Sequence, residues 1–317
     1  MDVSEQELLG AIRKVLSGAG PEVRLGVGDD AAVVAPGSGE LVLTTDTLVE
    51  GSHFSRATSS ARDLGYKAIV VNVSDIAAMA ASPRYALCAL TLSADLDAAW
   101  VMELFGGMRE AADEYALWLV GGNLARGSEV TVAITVVGEV APGRAVTRAG
   151  AQVGDRVAVT GALGGSAAGR RLLTLRTVPD PEQRAAIVRH ARPSARVGEG
   201  AVLARYGATA MMDISDGLSL DLSRLCESSG VGARVEIQSV PVDAGATLDE
   251  ALGGGEDYEL LVTLPDAAAV AAARDEIREA FGVALTEIGV VTESGLIGVG
   301  ADGVERALEP RGWDHFA

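Results

Sequence analysis

The chain has 317 residues, of which 48% are hydrophobic and 22% are charged, as is typical of globular proteins. At about 150 residues per domain, this length favours two domains. Because 44 acidic residues outnumber 26 basic ones, the formal charge is −18, which repels a nucleic-acid backbone. We therefore expect no nucleic-acid partner.

The amino terminus, MDVSEQELLG, lacks the basic start and apolar run of a secretory signal. The most apolar stretch, residues 68–81, is interrupted by polar residues and is shorter than the roughly 20 residues of a membrane span. Cys88 and Cys226 lie far apart and form no C-x-x-C motif. We expect a cytoplasmic protein with reduced thiols and no membrane partner.

In the first half of the chain, apolar residues recur with helical and strand periods in turn. The predicted elements are a helix over 4–16 capped by Ser4, strands over 31–35 and 40–45, a helix over 61–81, a strand over 85–92, a helix over 98–115, and strands over 117–120 and 129–140. The pattern then lapses into Pro, Gly, Arg and Gln between 141 and 154. This lapse predicts domains 1–141 and 142–317.

The second half repeats the mixture of strands and helices. The predicted elements are a strand over 155–160, a glycine turn over 161–165, a helix from Ser166, helices over 181–190 and 197–206, a strand over 209–212, a helix over 217–228, strands over 233–237 and 258–263, a helix over 266–281, and strands over 285–291 and 296–299. Since no strict β-α-β rhythm is present, the sequence favours two α+β domains over one doubly wound sheet.

Several common catalytic motifs are missing. The two lysines, Lys14 and Lys67, do not follow a G-x-x-x-x-G loop, so the chain has no P-loop. GVGDDA imitates a dinucleotide fingerprint, but it leads into an apolar strand and places two carboxylates where a pyrophosphate would bind. The three histidines, His53, His190 and His315, are far apart in sequence, and neither H-E-x-x-H nor G-x-S-x-G occurs.

Acidic residues stand at the ends of apolar runs, where a carboxylate is costly without a partner. They are Asp30, Asp46, Asp75, Asp213 and Asp216. On a helical wheel, Asp75 shares a stripe with Leu64, Ala68, Val71 and Ala78, so its side chain is predicted to point inward.

Hydroxyl side chains accompany two of these runs, Thr44 and Thr45 beside Asp46, and Ser215 between Asp213 and Asp216. Hard oxygen ligands suit Mg²⁺, which prefers one or two carboxylates together with water and substrate phosphates. This pattern indicates phosphoryl chemistry.

Structural explanations remain open for each position. Asp30 fits a turn, Asp75 fits a surface cap, and Asp213 or Asp216 fits the N-cap of the following helix. The glycine segments LVGGN, GALGGS and GGGEDY either bring backbone amides close to a ligand or form ordinary turns. Arg148 either binds phosphate or lies in a loop.

Taken together, the motifs GDDAAV, LTTDTLVEGSHF, NVSDIAAMAASP, LVGGN, TRAGAQVGD, GALGGSAAG, MDISDGL, GGEDYELL and GWDHF resemble thiamine-monophosphate kinases, in the same order from Gly26 to the end. The resemblance implies the two-domain α+β fold shared with aminoimidazole ribonucleotide synthetase, with mixed sheets flanked by helices. It also implies ATP-dependent conversion of thiamine monophosphate to thiamine diphosphate, several Mg²⁺ ions, and a homodimer formed through the amino-terminal domains.

The resemblance assigns roles position by position. It implies magnesium ligation by Asp30, Thr44, Thr45, Asp46, Asp75, Asp213 and Asp216; ATP contacts at Gly122, Asn123, Arg148 and Ser215; and substrate contacts at His53, Glu256 and Trp313. Many relatives carry Asp where this chain has Asn123, whose amide offers an oxygen but lacks the charge.

We expect direct in-line phosphoryl transfer without a general base, because a phosphate monoester with a second pKa near 6 is mostly dianionic at neutral pH. His53 is otherwise a solvent-facing loop residue, and Trp313 is otherwise a packed carboxyl-terminal anchor. Another ATP-dependent enzyme of the same superfamily, such as a selenophosphate synthetase or a ribonucleotide-cyclising synthetase, is an alternative. Selenium chemistry is weakened because the first cysteine is Cys88 within a predicted strand. An acidic protein that stores ions or nucleotide without turnover is another.

Overall fold

The computed structural model describes residues 5–16, 18, 20–27, 31–175 and 179–313. Two predicted features, the Ser4 cap and the carboxylate of Asp30, lie outside these residues. Contacts between Cα atoms divide the chain into two compact units, Met1–Ile76 with Ser82–Gly143, and Ala77–Ala81 with Arg144–Ala317.

The first unit contains three helices and six strands among its described residues. They are α1 (Glu5–Val15), β1 (Val23–Leu25), β2 (Val33–Val34), β3 (Glu40–Val49), α2 (Ala61–Ala78, whose last two residues group with the second unit), β4 (Ser82–Leu92), α3 (Ala98–Glu114), β5 (Trp118–Arg126) and β6 (Thr131–Val140). The short strands β1 and β2 pair with each other, and the rest form a mixed sheet in the order β3-β6-β4-β5.

The two faces of this four-stranded sheet differ. Side chains of β6 alternate between buried positions, such as Ile134 and Val136, and half-buried ones, such as Thr135 and Val137. Helix α2 covers the buried face, since a Cβ on Gly138 would lie 2.7 Å from a methyl of Ile76. The opposite face is left open by the described elements of this unit at Leu41, Leu43 and Leu87, which are 61%, 65% and 42% exposed.

The second unit is built on a seven-stranded sheet. Its elements are β7 (Arg156–Thr160), α4 (Gly165–Leu173), α5 (Pro181–Ala191), α6 (Val197–Arg205), β8 (Ala210–Ile214), α7 (Leu218–Ser229), β9 (Gly232–Glu236), a 3₁₀ turn (Ile237–Ser239), α8 (Leu248–Gly253), β10 (Glu259–Leu264), α9 (Ala267–Phe281), β11 (Leu285–Thr292), β12 (Leu296–Val299) and β13 (Glu305–Ala307). The sheet order is β13-β12-β9-β11-β7-β10-β8, with one parallel pair, β9 and β12.

Helices cover both faces of this sheet, which explains why its central strands read as continuous apolar runs. Val157, Val159 and Met212 pack with α7 in one core. Ala158 and Met211, which alternate with them, pack with α6 and α9 in another. The α+β class predicted from the sequence is confirmed.

Several element boundaries differ from the prediction. Helix α2 ends at Ala78, three residues early, because Ala80 takes a left-handed conformation (φ 56°) and Ser82, which precedes Pro83, begins the next strand. Strand β5 does not end near Gly121 but runs on to Arg126, and Val120 is an extra residue in the register between the pairs Ala86–Leu119 and Leu87–Gly121. Strand β3 extends to Val49.

Close approach of α2 and α3 generates a stability prediction. A Cβ on Gly107 would lie 1.8 Å from the carbonyl oxygen of Arg62, whereas a Cβ on the neighbouring Gly106 would meet only the Arg62 guanidinium, at 3.2 Å. We expect Gly107→Ala to lower the free energy of unfolding by about 1–3 kcal/mol, because the helices must separate. Gly106→Ala is the matched control, with no loss or a gain of up to about 1 kcal/mol from helix propensity. Urea unfolding followed by circular dichroism measures both, and equal effects would contradict this account of the packing.

Candidate functional site

Polar side chains of α2 fasten the helix to the edge strand β3. Thr44 Oγ1 donates a hydrogen bond to Asp75 Oδ2 at 2.5 Å, and the backbone N–H of Asp46 donates to Asn72 Oδ1 at 2.9 Å. Asn72 and Asp75 are three residues apart and so lie on one side of the helix. The contacts bring Thr44, Asp46 and Asp75 together on the helix-covered side of the sheet.

The carboxylates of Asp75 and Asp46 have different surroundings, and those of Asp75 decide between its two interpretations. This residue is half-buried and faces β3, which confirms that it points inward from α2. It lies well inside a helix that runs from Ala61 to Ala78, so the surface-cap alternative is wrong. Asp46 is exposed, so its carboxylate is accessible to a ligand.

The side chain of Thr45 lies on the opposite, open face. Its Oγ1 donates to the carbonyl oxygen of Ile134 at 3.1 Å and lies 3.1 Å from Thr135 Oγ1. Successive strand residues point to opposite faces, so the Thr45 hydroxyl is separated from the Thr44 hydroxyl and from the Asp46 carboxylate. A metal ligand from Thr45 on the helix-covered side therefore has to be a main-chain atom.

Asn123 shares the open face with Thr45. It pairs with Ala89 two residues beyond the Leu87–Gly121 pair, and it is exposed. A Cβ on Gly122, the residue before Asn123, would lie 1.9 Å from the carbonyl oxygen of Cys88 in the neighbouring strand. The structure does not bring the Asn123 side chain together with Asp46 and Asp75.

His53 lies in the turn that follows β3. Its Nδ1 accepts a hydrogen bond from the backbone N–H of Val49 at 3.1 Å. The backbone N–H of His53 donates to the Val49 carbonyl oxygen at 2.9 Å. The residue is half-buried, so the fully solvent-facing alternative is wrong. The Nδ1 bond fixes the ring relative to the end of β3.

In the second unit, the end of β8 supplies a meeting point for three chain segments. Asp213 is 2% exposed and pairs with Leu260 of β10. The carbonyl oxygen of Ser215 accepts from the N–H of Glu256 at 2.7 Å, and that of Asp216 accepts from the N–H of Trp313 at 3.0 Å. Four predicted site residues, Ser215, Asp216, Glu256 and Trp313, are thus brought together through backbone bonds.

The carboxylate of Asp216 does not cap α7. The helix begins after Gly217, and Asp221 in its first turn accepts from the N–H groups of Asp216 and Gly217, each at 3.0 Å. The Asp216 carboxylate instead forms an ion pair with Arg224. A cation at Asp216 would compete with this guanidinium.

Trp313 and Arg148 are both exposed. Trp313 is 42% exposed although its backbone is bound to Asp216, so the fully packed anchor is wrong for its side chain. Arg148 lies in a loop, and its own carbonyl oxygen accepts a hydrogen bond from Ser229 Oγ at 2.9 Å. Its exposed side chain extends from a loop that α7 holds in place.

The glycine turn before α4 binds the carboxylate of Asp257, a residue for which the sequence predicted no role. Asp257 accepts from the N–H of Gly164 at 2.7 Å and from that of Ser166 at 3.2 Å. Two backbone amides of the turn are therefore occupied by a carboxylate of the protein itself. Its position next to Glu256 in the GGEDYELL motif was the available signal.

Burial raises the pKa of Asp257 to about 7, and nearby Glu259 and Asp243 act in the same direction. The two amide hydrogen bonds oppose this shift. Glu259 is itself held by Arg196 and by Thr160 Oγ1, which donates to it at 2.6 Å.

Comparisons with known proteins assign this arrangement to a class. Residues 28–140 match the family described as AIR synthase related protein, N-terminal domain, and residues 152–302 match its C-terminal domain. The fold and the site thus define a two-domain protein of the AIR synthase related class.

Similarity over the whole chain narrows the class. The chain is 40% identical to the thiamine-monophosphate kinase of Escherichia coli (strain K12) over 309 residues, 93% of each protein. It matches the crystal structure of thiamine-monophosphate kinase from Stenotrophomonas maltophilia K279a with a TM-score of 0.84 and 34% identity, covering 96% of this chain and 98% of that one. A structure of AaThiL complexed with AMPPCP and TMP matches with a TM-score of 0.78 and 36% identity, covering 100% and 99%. The chain belongs to the thiamine-monophosphate kinase family, which confirms the resemblance found in its motifs.

Two further findings concern the described residues only. Within them, no helix is long and apolar enough to cross a membrane. In the same part of the chain, no group of three or more His, Cys, Asp or Glu side chains is placed so that it could hold a metal ion.

The raised pKa of Asp257 predicts a pH dependence of stability. Because the folded state binds this proton more tightly than the unfolded chain, its contribution is complete below about pH 4 and is lost as the pH rises through about 7. We expect wild type to lose stability relative to Asp257→Asn across this window. Urea unfolding between about pH 4.5 and 8 measures the difference.

Asp302→Asn is the control, since the pKa of Asp302 is lowered to about 2 by Arg306. Its contribution is lost only as the pH falls below about 4, so its difference from wild type is flat in this window. A flat difference for Asp257→Asn as well would contradict the burial argument.

Proposed function

We propose that this chain transfers the γ-phosphoryl group of ATP to thiamine monophosphate, giving thiamine diphosphate and ADP, the last step in forming that product. The observation that carries the proposal is the 36% identity, over all of this chain, to AaThiL complexed with AMPPCP and TMP. The carboxylates and hydroxyl gathered at β3 and α2 supply the matching chemistry.

Electrostatic repulsion is the main obstacle to this reaction. Both substrates carry phosphate anions, and the chain itself has a formal charge of −18 with only two lysines. One pair of unit charges about 4 Å apart costs about 4 kcal/mol at an effective dielectric of 20, and several such pairs occur here.

Magnesium ions fit the residues present. Thr44, Asp46 and Asp75 offer hard oxygen atoms on one side of β3, and Asp46 is accessible. The proposed ligands are completed by Asp30, Thr45 through its main chain, Asp213 and Asp216. Held by these residues, magnesium ions would offset the negative charge of the phosphates.

The remaining roles concern binding and orientation. We assign ATP contacts to Gly122, Asn123, Arg148 and Ser215, and substrate contacts to His53, Glu256 and Trp313. The exposed ring of Trp313 suits stacking on the cationic thiazolium, a contact worth about 0.5–2 kcal/mol.

Phosphoryl transfer proceeds directly and in line. A phosphate oxygen of thiamine monophosphate forms the new bond to the γ-phosphorus as the bond to the ADP oxygen breaks. Since that phosphate is mostly dianionic at neutral pH, no side chain has to accept a proton. The aspartates serve as cation ligands and not as general bases.

Incubation with ATP, Mg²⁺ and thiamine monophosphate, followed by chromatography, tests the proposal. We expect thiamine diphosphate and ADP in equal amounts, and no product when the metal is chelated. Binding of ATP without turnover, under varied divalent metals, would instead support an acidic binding protein and refute the kinase.

Asp75→Asn tests the carboxylate at the proposed metal site. An amide keeps an oxygen that accepts from Thr44 but lacks the charge, so we expect the fold to survive and kcat to fall by about 10²–10³. Asp46→Asn is expected to act alike. Asp113→Asn, which removes a surface ion pair with Arg109, is the matched control and should leave kcat unchanged. Wild-type rates in both site variants, with folding checked by circular dichroism, would show that the metal site is misplaced.

We further propose that the protein is a cytoplasmic homodimer, in which residues 1–141 bind ATP and magnesium and form the dimer, and residues 142–317 complete the active site. The open sheet face supports this arrangement. Leu41, Leu43 and Leu87 border a groove of about 930 Å³ there, and an apolar surface of this kind marks a protein interface.

Leu43→Glu tests the dimer. Because Leu43 pairs with Val137 on the open face, burying a carboxylate there would oppose association. We expect sedimentation equilibrium to show a dimer for wild type and a monomer for the variant. Val153→Glu, at a 59% exposed position in a turn of the second unit, should remain dimeric. A monomeric wild type, or a dimeric Leu43→Glu, would contradict the assignment.

A further inference from the structure

A buried histidine that the reaction does not use lies behind Glu256. Nδ1 of His190 lies 3.3 Å from Oε2 of Glu256, and the two side chains are only 10% and 21% exposed. A carboxylate attracts this nitrogen when Nδ1 carries the ring proton, so the contact restricts the rotamers available to Glu256.

Helix packing places the ring. His190 stands near the end of α5, which crosses α4 at Gly169, where a Cβ would lie 2.2 Å from the carbonyl oxygen of Ala186. Ala168, Leu172 and Ala186 form the small core between the helices. The position of the imidazole is therefore set by the backbones of two packed helices.

Ser166 fixes the orientation of the ring. Its Oγ lies 3.0 Å from the same Nδ1 atom that approaches Glu256. A serine nucleophile with a histidine base uses the two ring nitrogens separately, so this cluster is not a hydrolytic triad. The backbone N–H of Ser166 also binds Asp257, which joins the support of Glu256 to that of its neighbour.

The main chain holds Glu256 as well. Glu256 and Tyr258 both take left-handed conformations, with φ of 68° and 53°, although neither is glycine. Their N–H groups donate to the carbonyl oxygens of Ser215 and Ile214, at 2.7 and 2.9 Å. An unfavourable backbone conformation held by such bonds indicates a side chain whose direction matters.

We propose that His190 is a positioning residue that aims the Glu256 carboxylate at the thiamine part of the substrate. This inference rests on the proposed function, in which Glu256 contacts thiamine monophosphate. A carboxylate fixed before binding loses less conformational entropy when the substrate arrives. His190 therefore sets the affinity for thiamine monophosphate and leaves the affinity for ATP unchanged.

Two polar replacements separate positioning from folding. The amide nitrogen of Asn lies two bonds from Cβ, like Nδ1, whereas that of Gln lies three bonds away, like Nε2. We expect His190→Asn to keep KM for thiamine monophosphate within about threefold of wild type, and His190→Gln to raise it about tenfold or more, as for loss of a charge-assisted contact. KM for ATP should stay constant in both. Calorimetric titration with thiamine monophosphate alone should show the same ranking.

Val188→Ala is the control, because it alters a 56% exposed position of the same helix α5, outside the core that places the ring and without touching the polar contact. It should leave KM for thiamine monophosphate unchanged. In Glu256→Gln, adding His190→Gln should raise KM no further, since both act through one carboxylate. A control that raises KM as much as His190→Gln, equal values for His190→Asn and His190→Gln, or additive effects in the double variant would overturn the proposal.

Turnover by wild type separates the two hypotheses. If wild type forms no thiamine diphosphate, the proposed function fails. If wild type forms thiamine diphosphate but His190→Asn and His190→Gln have the same KM for thiamine monophosphate, only the positioning role of His190 is refuted.

Discussion

Repulsion between like charges is the constraint on which the site depends. Two phosphate-bearing substrates must meet in a chain with a formal charge of −18, and lysine is almost absent. In the proposed reaction, cations gathered by carboxylates would offset this repulsion. Thr44 and Asn72 hold Asp75 and the backbone of Asp46 at the junction of α2 and β3. Because folding already orders these groups, the entropy lost in ordering them does not add to the activation free energy of the reaction.

The second unit applies the same principle to orientation. Short hydrogen bonds from the end of β8 hold Glu256 and the backbone of Trp313, while Asp257 occupies the amides of the glycine turn before α4. In the part of the chain that the structure describes, the glycine turn thus joins protein segments to each other. Ser166, which follows this turn, contacts His190, and His190 in turn contacts Glu256.

Strong periodicity made most of the fold predictable, because long apolar patterns such as α3 and β6 report burial directly. Weak or very short elements were not found. Helix α8 was missed although Thr247 and Glu250 form a capping box, and β13 has only three exposed residues. The inward direction of Asp75 followed from the helical period. The opposite direction of Thr45 followed from strand alternation, but only once β3 was known to continue through Asp46 to Val49. The contact of His190 with Glu256 joins residues far apart in sequence, and no local pattern contains it.

The central claim is that divalent cations, held by aspartates at the junction of α2 and β3, bring the two phosphates together. Crystals grown with a non-hydrolysable ATP analogue, thiamine monophosphate and Mn²⁺ test it directly through anomalous scattering. The account predicts manganese peaks in contact with the carboxylates of Asp46 and Asp75 and with phosphate oxygens of the nucleotide. Bound substrates without any ion at either carboxylate would contradict it.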